Sequence, residues 1–334
     1  SMTAVRPSIY TTCPEFARDR SESITERVLE TARWCEAHDH TGMLIRSNNR
    51  LVDPWTIAQL LLHETESLRP VVTVQPLYMH PYAVAKKVAT LANVYGRAPD
   101  LYLVAGGSNT DLLALDDRVP HDDRYRRLTE YAEMIGALLS ARSPITHVGE
   151  RYRVYKPATL APLAEAEKPR FFIAASSTAG QRAAQELGAL SVSSLGFGDG
   201  TDCVFLGMVV RTTDEEAWEV ARARFKADAA GRLAHRLDMA WNDSSWNERL
   251  SRLADAESTH REDLWLEPFE NRQSRSAYLI GDSRAVARSL QETLSAGARG
   301  FFLEPPHCRA DVEHSSEALA RAWTRFQSPL TLTA

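Results

Sequence analysis

LYLVAGGSNTDLLALDDRVPHDDRY, residues 101–125, is the stretch that best indicates the fold. Its apolar start, Leu101 to Val104, has the length and composition of a buried strand. A pair of glycines beginning at Gly106 and a polar loop follow, and Arg124 and Tyr125 then open a segment with helical spacing. The stretch therefore predicts a strand, a loop at its carboxyl end and a helix.

The same order of a short β-rich run and a longer segment of helical period recurs along the chain. Such alternation predicts parallel βα units rather than a β-sandwich or a helix bundle. We expect strands at residues 8–12, 42–45, 71–74, 101–104, 171–174, 190–195, 203–210 and 300–303. The predicted fold is α/β, a (β/α)8 TIM barrel with insertions, and a doubly wound parallel sheet is the alternative.

Two departures from a regular barrel are visible in the sequence. Residues 196–202 are too few to hold the helix that usually joins parallel strands, so one helix should be missing there. Between about 225 and 276 the chain is polar and helical only in parts, which predicts an inserted lid before the last βα unit. We expect one domain, residues 1–334, that carries this lid.

Charge and cysteine content restrict the classes of function. The net charge is -5, from 39 basic and 44 acidic residues spread along the chain. This pattern gives no footprint for nucleic acid or an anionic membrane, and a small-molecule partner is favoured. Four cysteines without a CxxC pair favour a reducing compartment, which we expect to be the cytoplasm. No apolar run approaches the roughly 20 residues of a membrane helix, and no residues have metal-ligand spacing, so we expect no metal.

Residues that directly follow strands are candidate site residues, because the carboxyl ends of the strands converge in a TIM barrel. They are Thr12, Cys13, Arg46, Gln75, the loop 106–111, Ser176, Ser177 and Glu304. The two serines could offer hydroxyls and helix-start amides to a phosphate, and a plain N-cap is the alternative. Arg124 could bind a phosphate bidentately, and a solvated charge run on its helix is the alternative.

The histidines that flank strands are candidates for acid-base chemistry. His80, His121 and His307 are expected near the strand ends, where a titrating imidazole could transfer protons, although structural or solvated histidines are more common. His38 and His40 follow the first predicted helix, and we expect them at the surface rather than in a metal site.

Several segments together resemble the bacterial luciferase-like flavin monooxygenases, especially the branch that holds alkanesulfonate monooxygenase and the pyrimidine ring-opening oxygenase. They are GMLIRSNNRLVDPW (42–55), HPYAVAKKVATLANVYGR (80–97), LVAGGSNTDLLAL (103–115), PHDDRYRRLTEY (120–131), AASSTAGQRAAQELG (174–188) and MVVRTTDEEAW (208–218). The resemblance implies a TIM barrel with a lid, reduced FMN supplied by a separate NAD(P)H:flavin reductase, and reaction with O2.

The resemblance also implies roles for individual residues. The implied flavin contacts are Asp111, Arg124, Tyr125, Ser176, Ser177 and Tyr102. Ser177 stands where the family's serine holds the phosphate, and Tyr102 replaces a frequent asparagine. The candidate substrate contacts are Arg46, Gln75, Tyr78 and the lid residue Arg272, and His80 and Arg272 are the candidates for a catalytic role.

The residues at the positions characteristic of the alkanesulfonate branch differ in this sequence. That branch's cysteine after the second strand aligns with Leu51, and its Arg-x-His pair on the seventh strand aligns with Phe205 and Gly207. Its tyrosine after the last strand falls in residues 304–306, whereas Arg272 in NRQSRSAYLIGD keeps the lid arginine. The resemblance therefore covers the flavin contacts and leaves the substrate open.

The predicted function is a two-component monooxygenase that uses FMNH2 and O2 to oxygenate a small organic substrate through a C4a-peroxyflavin. The departures indicate a substrate other than a simple alkanesulfonate. An F420-dependent oxidoreductase on the same barrel and a luciferase-like protein that binds flavin without turnover are the alternatives. We expect a homodimer or a homotetramer.

Overall fold

The computed structural model describes residues 4–16, 23–241, 244–255 and 263–328. The strands are β1 (Ser8–Thr12), β2 (Gly42–Ile45), β3 (Arg69–Val74), β4 (Asp100–Leu103), β5 (Thr146–Val148), β6 (Arg153–Tyr155), β7 (Phe171–Ala174), β8 (Leu190–Ser194), β9 (Cys203–Arg211), β10 (Leu264–Trp265), β11 (Tyr278–Asp282) and β12 (Gly300–Leu303). The helices are α1 (Ile24–Ala37), α2 (Pro54–Glu64), α3 (Pro81–Tyr95), α4 (Asn109–Ala114), α5 (His121–Ser140), α6 (Thr178–Leu187), α7 (Asp214–Arg224), α8 (Ala229–Trp241), α9 (Ser245–Asp255), α10 (Glu267–Glu270), α11 (Ser283–Ser295) and α12 (Arg309–Gln327).

Eight parallel strands follow one another in the closed order β1, β2, β3, β4, β7, β8, β9 and β12. Helices connect most of them, and this order is that of a (β/α)8 TIM barrel, which confirms the predicted fold. Residues 195–202, all of them described, contain no helix, so the connection between β8 and β9 is short as expected. None of the described helices is both long and apolar enough to cross a membrane.

The contacts divide the chain into two compact units. Unit 1 consists of residues 1–14, 33–41 and 192–334, and unit 2 consists of residues 15–32 and 42–191. The predicted lid, residues 225–276, belongs to unit 1 and contains α8, α9, β10 and α10. Within it, residues 242–243 and 256–262 lie outside the described residues.

In unit 2 the parallel strands β2, β3, β4 and β7 lie side by side. Local sequence sets the ends of the helices between them. Asp53 caps α2, because its carboxylate accepts a hydrogen bond from Thr56 N at 2.8 Å. Gly96 ends α3 with φ at +75°, a left-handed conformation that favours glycine.

A partly buried arginine, Arg97, closes the other end of α2. Its guanidinium donates hydrogen bonds to the carbonyl oxygens of Leu62, Thr65 and Leu68 at 2.5–3.0 Å. The last carbonyls of a helix have no partner inside the helix, so an arginine here satisfies them. The guanidinium of Arg97 therefore stabilises the carboxyl end of α2.

The antiparallel hairpin β5–β6 is held by α5. The carboxylate of Glu130 accepts hydrogen bonds from the main-chain nitrogens of Arg151 and Tyr152, each at 3.0 Å, and its Oε1 lies 3.3 Å from His147 Nε2. The two strands of the hairpin, residues 146–148 and 153–155, lie between α5 and β7 in the chain.

In unit 1 the long strand β9 pairs with two other strands in succession. Its first half is aligned with β12, where Cys203 is opposite Gly300, and its second half is aligned with β11, where Gly207 is opposite Tyr278. Leu195 N donates to Phe205 O, and Gly207 N donates to Ala277 O, so β11 continues along the edge of β9 that the end of β8 occupies.

An aromatic layer fills the barrel side of unit 1. The rings of Tyr10 on β1 and Phe302 on β12 stack at 4.7 Å between centroids, and Phe302 stacks with Phe205 on β9 at 6.2 Å. These residues are directly opposite one another in the strand register. Offset aromatic pairs of this kind add to the burial of apolar surface.

Three features differ from the sequence predictions. The short helix α4 replaces part of the predicted polar loop, since Ser108 Oγ accepts from Asp111 N at 3.2 Å and caps it. Strand β11 was not predicted. His40 is buried rather than at the surface, with Nδ1 2.7 Å from Thr11 Oγ1 and Nε2 2.9 Å from Ser316 Oγ.

Candidate functional site

The predicted site residues of unit 2 follow neighbouring parallel strands. Ile45 of β2 is aligned with Val72 of β3, Val74 of β3 with Leu103 of β4, and Leu103 with Ile173 of β7. These strands are parallel, so their carboxyl ends lie at one edge of the sheet. The residues that follow the strands at this edge are Arg46, Gln75, the loop that starts at residue 105, Ser176 and Ser177. Unit 2 therefore brings together most of the residues predicted for the flavin.

The loop after β4 passes closely over α5. A Cβ atom on Gly106 would lie 2.9 Å from Leu112 Cδ2 and 3.3 Å from Arg124 Cδ. A larger residue would have to displace these side chains, whereas glycine lets the main chain approach the arginine closely. Gly106 and Arg124, which are far apart in the stretch 101–125, are thus neighbours in the structure.

The charge run of α5 is split between buried and exposed positions. Arg124 is only 7% exposed, whereas the Arg126 side chain is 73% exposed and pairs with Asp123. Arg127 makes two hydrogen bonds to Asp117, at 2.9 and 3.0 Å, and these bonds lower the pKa of Asp117 although its burial acts in the opposite direction. The alternative of a solvated charge run therefore applies to Arg126 and does not apply to Arg124.

A hydrogen-bond network connects the loop after β2 with the start of α4. Asn49 N lies 3.3 Å from Asp111 Oδ2, and Asn49 Nδ2 donates to Asp111 O at 3.1 Å. The hydroxyl of Tyr78 donates to Asn49 Oδ1 at 2.5 Å. Burial and the nearby Asp111 carboxylate raise the pKa of Tyr78, so its hydroxyl stays protonated as a donor at neutral pH. Asp111 and Tyr78, predicted for the flavin and the substrate respectively, are thus bridged by Asn49.

Ser177 is the N-cap of α6. Its hydroxyl oxygen accepts from Gly180 N at 3.0 Å, and Ser176 beside it is buried. A hydroxyl that accepts a hydrogen bond retains its own hydrogen for donation. The cap and the phosphate interpretations are therefore compatible at this residue, because the helix start also carries partial positive charge.

The remaining predicted residues of unit 2 have structural contacts of their own. His80 caps α3, with Nδ1 accepting from Tyr82 N at 3.1 Å, so this nitrogen acts as an acceptor. The Tyr125 ring lies 5.2 Å from that of His121, and Tyr102 is buried on β4. Arg46 Nη1 lies 3.3 Å from Glu15 Oε1.

Arg272 lies in unit 1, within the predicted lid. Its φ of +60° is left-handed, an uncommon conformation for arginine, and Nη2 lies 2.8 Å from Asp238 Oδ2. Asn271 before it is buried and accepts a hydrogen bond from Arg232 Nε at 3.0 Å. The lid arginine is thus held by contacts inside the lid.

The strand positions that differ from the sulfonate pattern carry aromatic packing in unit 1. Phe205 packs edge-on against Trp246 of α9, with ring centroids 6.2 Å apart. A Cβ atom on Gly207 would lie 2.2 Å from Tyr278 Cζ, so the tyrosine ring occupies the space of a larger side chain there. Aromatic rings therefore stand where that branch has a cation.

Several contacts of the site were missed from the sequence. Asn49 and Glu130 act through partners 62 and 21–22 residues away in the chain, and no local pattern indicates such pairing. The cap of α4 had a signal, since Ser108 stands three residues before an acidic residue.

The arrangement of histidines, cysteines and carboxylates bears on metal and disulfide chemistry. Within the described ranges, no three His, Cys, Asp or Glu side chains are grouped so that they could hold a metal ion. Cys13, Cys35 and Cys203 are buried, Cys308 is partly buried, and all four are thiols. Burial raises the pKa of Cys35 to about 12, so it is protonated and unreactive at neutral pH.

Comparison with known proteins identifies the class. Residues 10–200 match the family described as luciferase-like monooxygenase. The match covers more than half of the chain, including every strand end of unit 2. The chain belongs to the luciferase-like monooxygenases and is a flavin-dependent oxygenase by family.

Individual relatives narrow the description. The chain is 26% identical over 307 residues to the 4-(gamma-L-glutamylamino)butanoyl-(BtrI acyl-carrier protein) monooxygenase BtrO of Niallia circulans, covering 87% of this chain and 89% of that protein. Among solved structures it resembles the EDTA monooxygenase EmoA from Chelativorans sp. BNC1, with a TM-score of 0.74, 15% identity and coverage of 99% and 96% of the two chains. It also resembles the oxygenating constituent of 3,6-diketocamphane monooxygenase from Pseudomonas putida, solved with FMN, with a TM-score of 0.70, 12% identity and coverage of 99% and 100%. At these identities the solved structures support the fold.

Proposed function

We propose that this chain is the oxygenating component of a two-component system that uses FMNH2 and O2 to oxygenate a small organic substrate. The observation that carries the proposal is the burial of Arg124 behind Gly106 at the strand ends of unit 2. A buried guanidinium is a fixed donor that can bind a phosphate through two charged hydrogen bonds. The start of α6 adds helix amides in the same unit, and an anionic cofactor suits this combination.

The residues present fit a reduced flavin phosphate. Arg124 provides a fixed cation, and the start of α6 provides the Ser177 hydroxyl and helix amides for a phosphate. Tyr125 and Tyr102 provide rings or hydroxyls for the isoalloxazine. Asp111, which is hydrogen-bonded to Asn49, would accept a hydrogen bond from the flavin ring.

When bound, the reduced flavin supplies the electrons that activate O2. The tasks of the protein are to hold the cofactor, to orient the substrate and to exclude water. We propose Arg46, Gln75 and Tyr78 as substrate contacts. His80 and Arg272 are our proposed catalytic residues, and Arg272 would clamp an anionic group after leaving Asp238.

The proposal implies partners and a compartment. A separate NAD(P)H:flavin reductase supplies FMNH2, and the oxygenase acts in the cytoplasm as a homodimer or homotetramer. The substrate is not a simple alkanesulfonate, because Phe205 and Gly207 lack the positive charge that a sulfonate requires. The relative from Niallia circulans acts on an acyl group held by a carrier protein, so carrier-bound amides belong in the substrate panel.

Anaerobic titration with FMNH2 tests the proposal. The unmodified protein should bind FMNH2 more tightly than reduced F420, and Arg124→Ala should weaken FMNH2 binding by about 1.5 to 3 kcal/mol through loss of charged hydrogen bonds. Arg126→Ala is the matched control on the same helix, since the Arg126 side chain is 73% exposed and should have no effect. Aerobic turnover with a flavin reductase and mass spectrometry of products then tests oxygenation.

Each alternative has its own result. Absence of FMNH2 binding, or equal loss in both arginine variants, would contradict the proposal. Tighter binding of reduced F420 would indicate an F420-dependent oxidoreductase. FMNH2 oxidation that yields only hydrogen peroxide with every substrate tested would indicate a flavin-binding protein without turnover.

A further inference from the structure

A second set of strand-end residues lies in unit 1, one layer beyond the aromatic layer. Tyr10, Phe302 and Phe205 are opposite one another, so Thr12, Glu304 and Gly207 stand two residues further along the same three strands. Glu304 N donates to Leu206 O at 3.0 Å, which extends the register past the end of β12. Because alternate residues of a strand share a face, these three lie above the aromatic rings.

Thr12 is the most unusual member of this layer. Its residue is fully buried, and its Oγ1 has no hydrogen-bond partner within the part of the chain that the structure describes. Its neighbour Thr11 faces the other way and contacts His40. A buried hydroxyl without a partner is destabilising, because it has lost its hydrogen bonds to water and gained none in the protein. Such a group at a strand end of a TIM barrel is explained by a ligand that pairs with it.

Glu304 and Thr12 each stand one residue beyond the aligned pair Leu303 and Thr11. The Glu304 Oε1 accepts hydrogen bonds from Arg275 N at 2.9 Å and from Ser276 Oγ at 2.8 Å, and these contacts orient the carboxylate. Both of these donors are uncharged groups. The charge of Glu304 also reaches the buried Tyr278, whose pKa is raised by burial and further by Glu304. The Arg275 side chain is exposed.

The surroundings of this layer are aromatic. Phe205 and Phe302 lie below it, and Trp246 packs on Phe205 while its Nε1 donates to Arg275 O at 2.9 Å. A carboxylate together with aromatic faces is the combination that recognises an ammonium group, through charged hydrogen bonds and cation–π attraction. An anionic substrate group would be repelled by Glu304.

We propose that Thr12 and Glu304 bind an amine or ammonium group of the substrate and thereby determine its specificity. The inference rests on the proposed oxygenase function and names the class of its substrate. Glu304 accepts from the nitrogen, Thr12 Oγ1 accepts a further N–H, and the rings of Phe205 and Trp246 cover the adjacent carbon atoms.

Binding of three small probes to the full chain tests the inference. The probes are benzylammonium, benzyl alcohol and benzenesulfonate, measured by calorimetry at neutral pH. The unmodified protein should bind benzylammonium at least about tenfold more tightly than the alcohol, which corresponds to about 1.4 kcal/mol, and should not bind the sulfonate. Glu304→Gln keeps an acceptor oxygen and removes the charge, so it should abolish the preference. Glu186→Gln, an exposed position on α6, is the control and should not change it.

A second variant tests the inference even if Glu304→Gln fails to fold. Thr12→Val has nearly the same shape and removes only the hydroxyl, so it should weaken benzylammonium binding several-fold and raise rather than lower thermal stability. Equal affinity for the amine and the alcohol, or a preference that survives both variants, would overturn the inference. FMNH2 affinity, measured on the same variants, should be unchanged. Loss of FMNH2 binding by the unmodified protein would instead overturn the proposed function and leave the amine preference intact.

Discussion

The strand ends of the two units differ in chemistry although they belong to one fold. Those of unit 2 are polar, with a buried arginine, serines at a helix start and a network of Asp111, Asn49 and Tyr78. Those of unit 1 are aromatic, with a carboxylate as their charged group and an unpaired hydroxyl among the described residues. One set suits an anionic cofactor, and the other suits an apolar substrate with a positive nitrogen. We therefore propose that each unit carries one of the two recognition tasks.

Buried cations of the two units also differ in use. In unit 1, Arg211 and Arg224 both pair with the buried Asp311, at 2.9 and 3.0 Å. Burial opposes ionisation of Asp311, but the two guanidinium groups and the main-chain nitrogen of His307 lower its pKa. The charges of Arg211 and Arg224 are therefore compensated by Asp311, whereas the role proposed for Arg124 is to bind the cofactor.

The largest effect is expected when the pairing of Asp311 with Arg211 and Arg224 is removed. Asp311→Ala leaves two buried guanidinium groups without their carboxylate, and we expect the free energy of unfolding to fall by about 3–5 kcal/mol. Chemical denaturation measures it. Glu313→Ala is the control, because Glu313 is half-exposed and its pair with Arg309 at 3.9 Å should contribute less than about 0.5 kcal/mol. FMNH2 affinity of folded Asp311→Ala should be unchanged, and its loss would show that the unit 1 cations take part in cofactor binding.

The next effect concerns pH and the buried His40 of unit 1. Burial, and then the positive charges of His38 and Arg6, lower the pKa of His40 to about 4, so the folded state prefers the neutral ring. The unfolded chain binds this proton near pH 6.5, so the stabilisation is complete above that pH and is lost as the pH falls towards 4. The expected loss is about 3 kcal/mol.

Denaturation between pH 7 and 4 measures this loss. His40→Gln lacks the titrating ring, so its stability should fall less steeply than that of the unmodified protein. His63→Gln is the control, since the His63 side chain is 68% exposed. Parallel curves for all three proteins would mean that His40 does not control acid stability.

The smallest expected effect concerns the proposed phosphate contact of unit 2. Ser177→Ala removes the cap of α6 and should lower stability by about 1 kcal/mol. It should also weaken FMNH2 binding but leave binding of reduced riboflavin, which has no phosphate, unchanged. Thr213→Ala removes the equivalent cap of α7, where Thr213 Oγ1 accepts from Glu216 N at 3.2 Å, and should change stability alone. The same loss for both flavins would remove the phosphate role from Ser177.

The sequence predicted those parts of the fold that depend on nearby residues. Helix starts at Asp53 and Ser177 and the end at Gly96 follow from local capping chemistry, and the barrel order follows from the alternation of apolar periods. The burial of Arg124 and of His40 could not be read from their charged or polar neighbours, because it depends on packing between distant segments. Thr12 was a candidate only by position, and its unpaired hydroxyl became visible in the structure.

The route of the chain through β9 has a consequence for how members of such a family diverge. The inserted segment leaves after α7 at Phe225 and returns at Tyr278, and these two rings are 4.9 Å apart. Its entry and exit are thus adjacent, and the part of β9 that is aligned with β12, residues 203–206, precedes the insert in the chain. Segments of different length could be grafted at this junction without displacing the barrel. The junction is therefore a natural site for recombination in laboratory evolution of new substrate ranges.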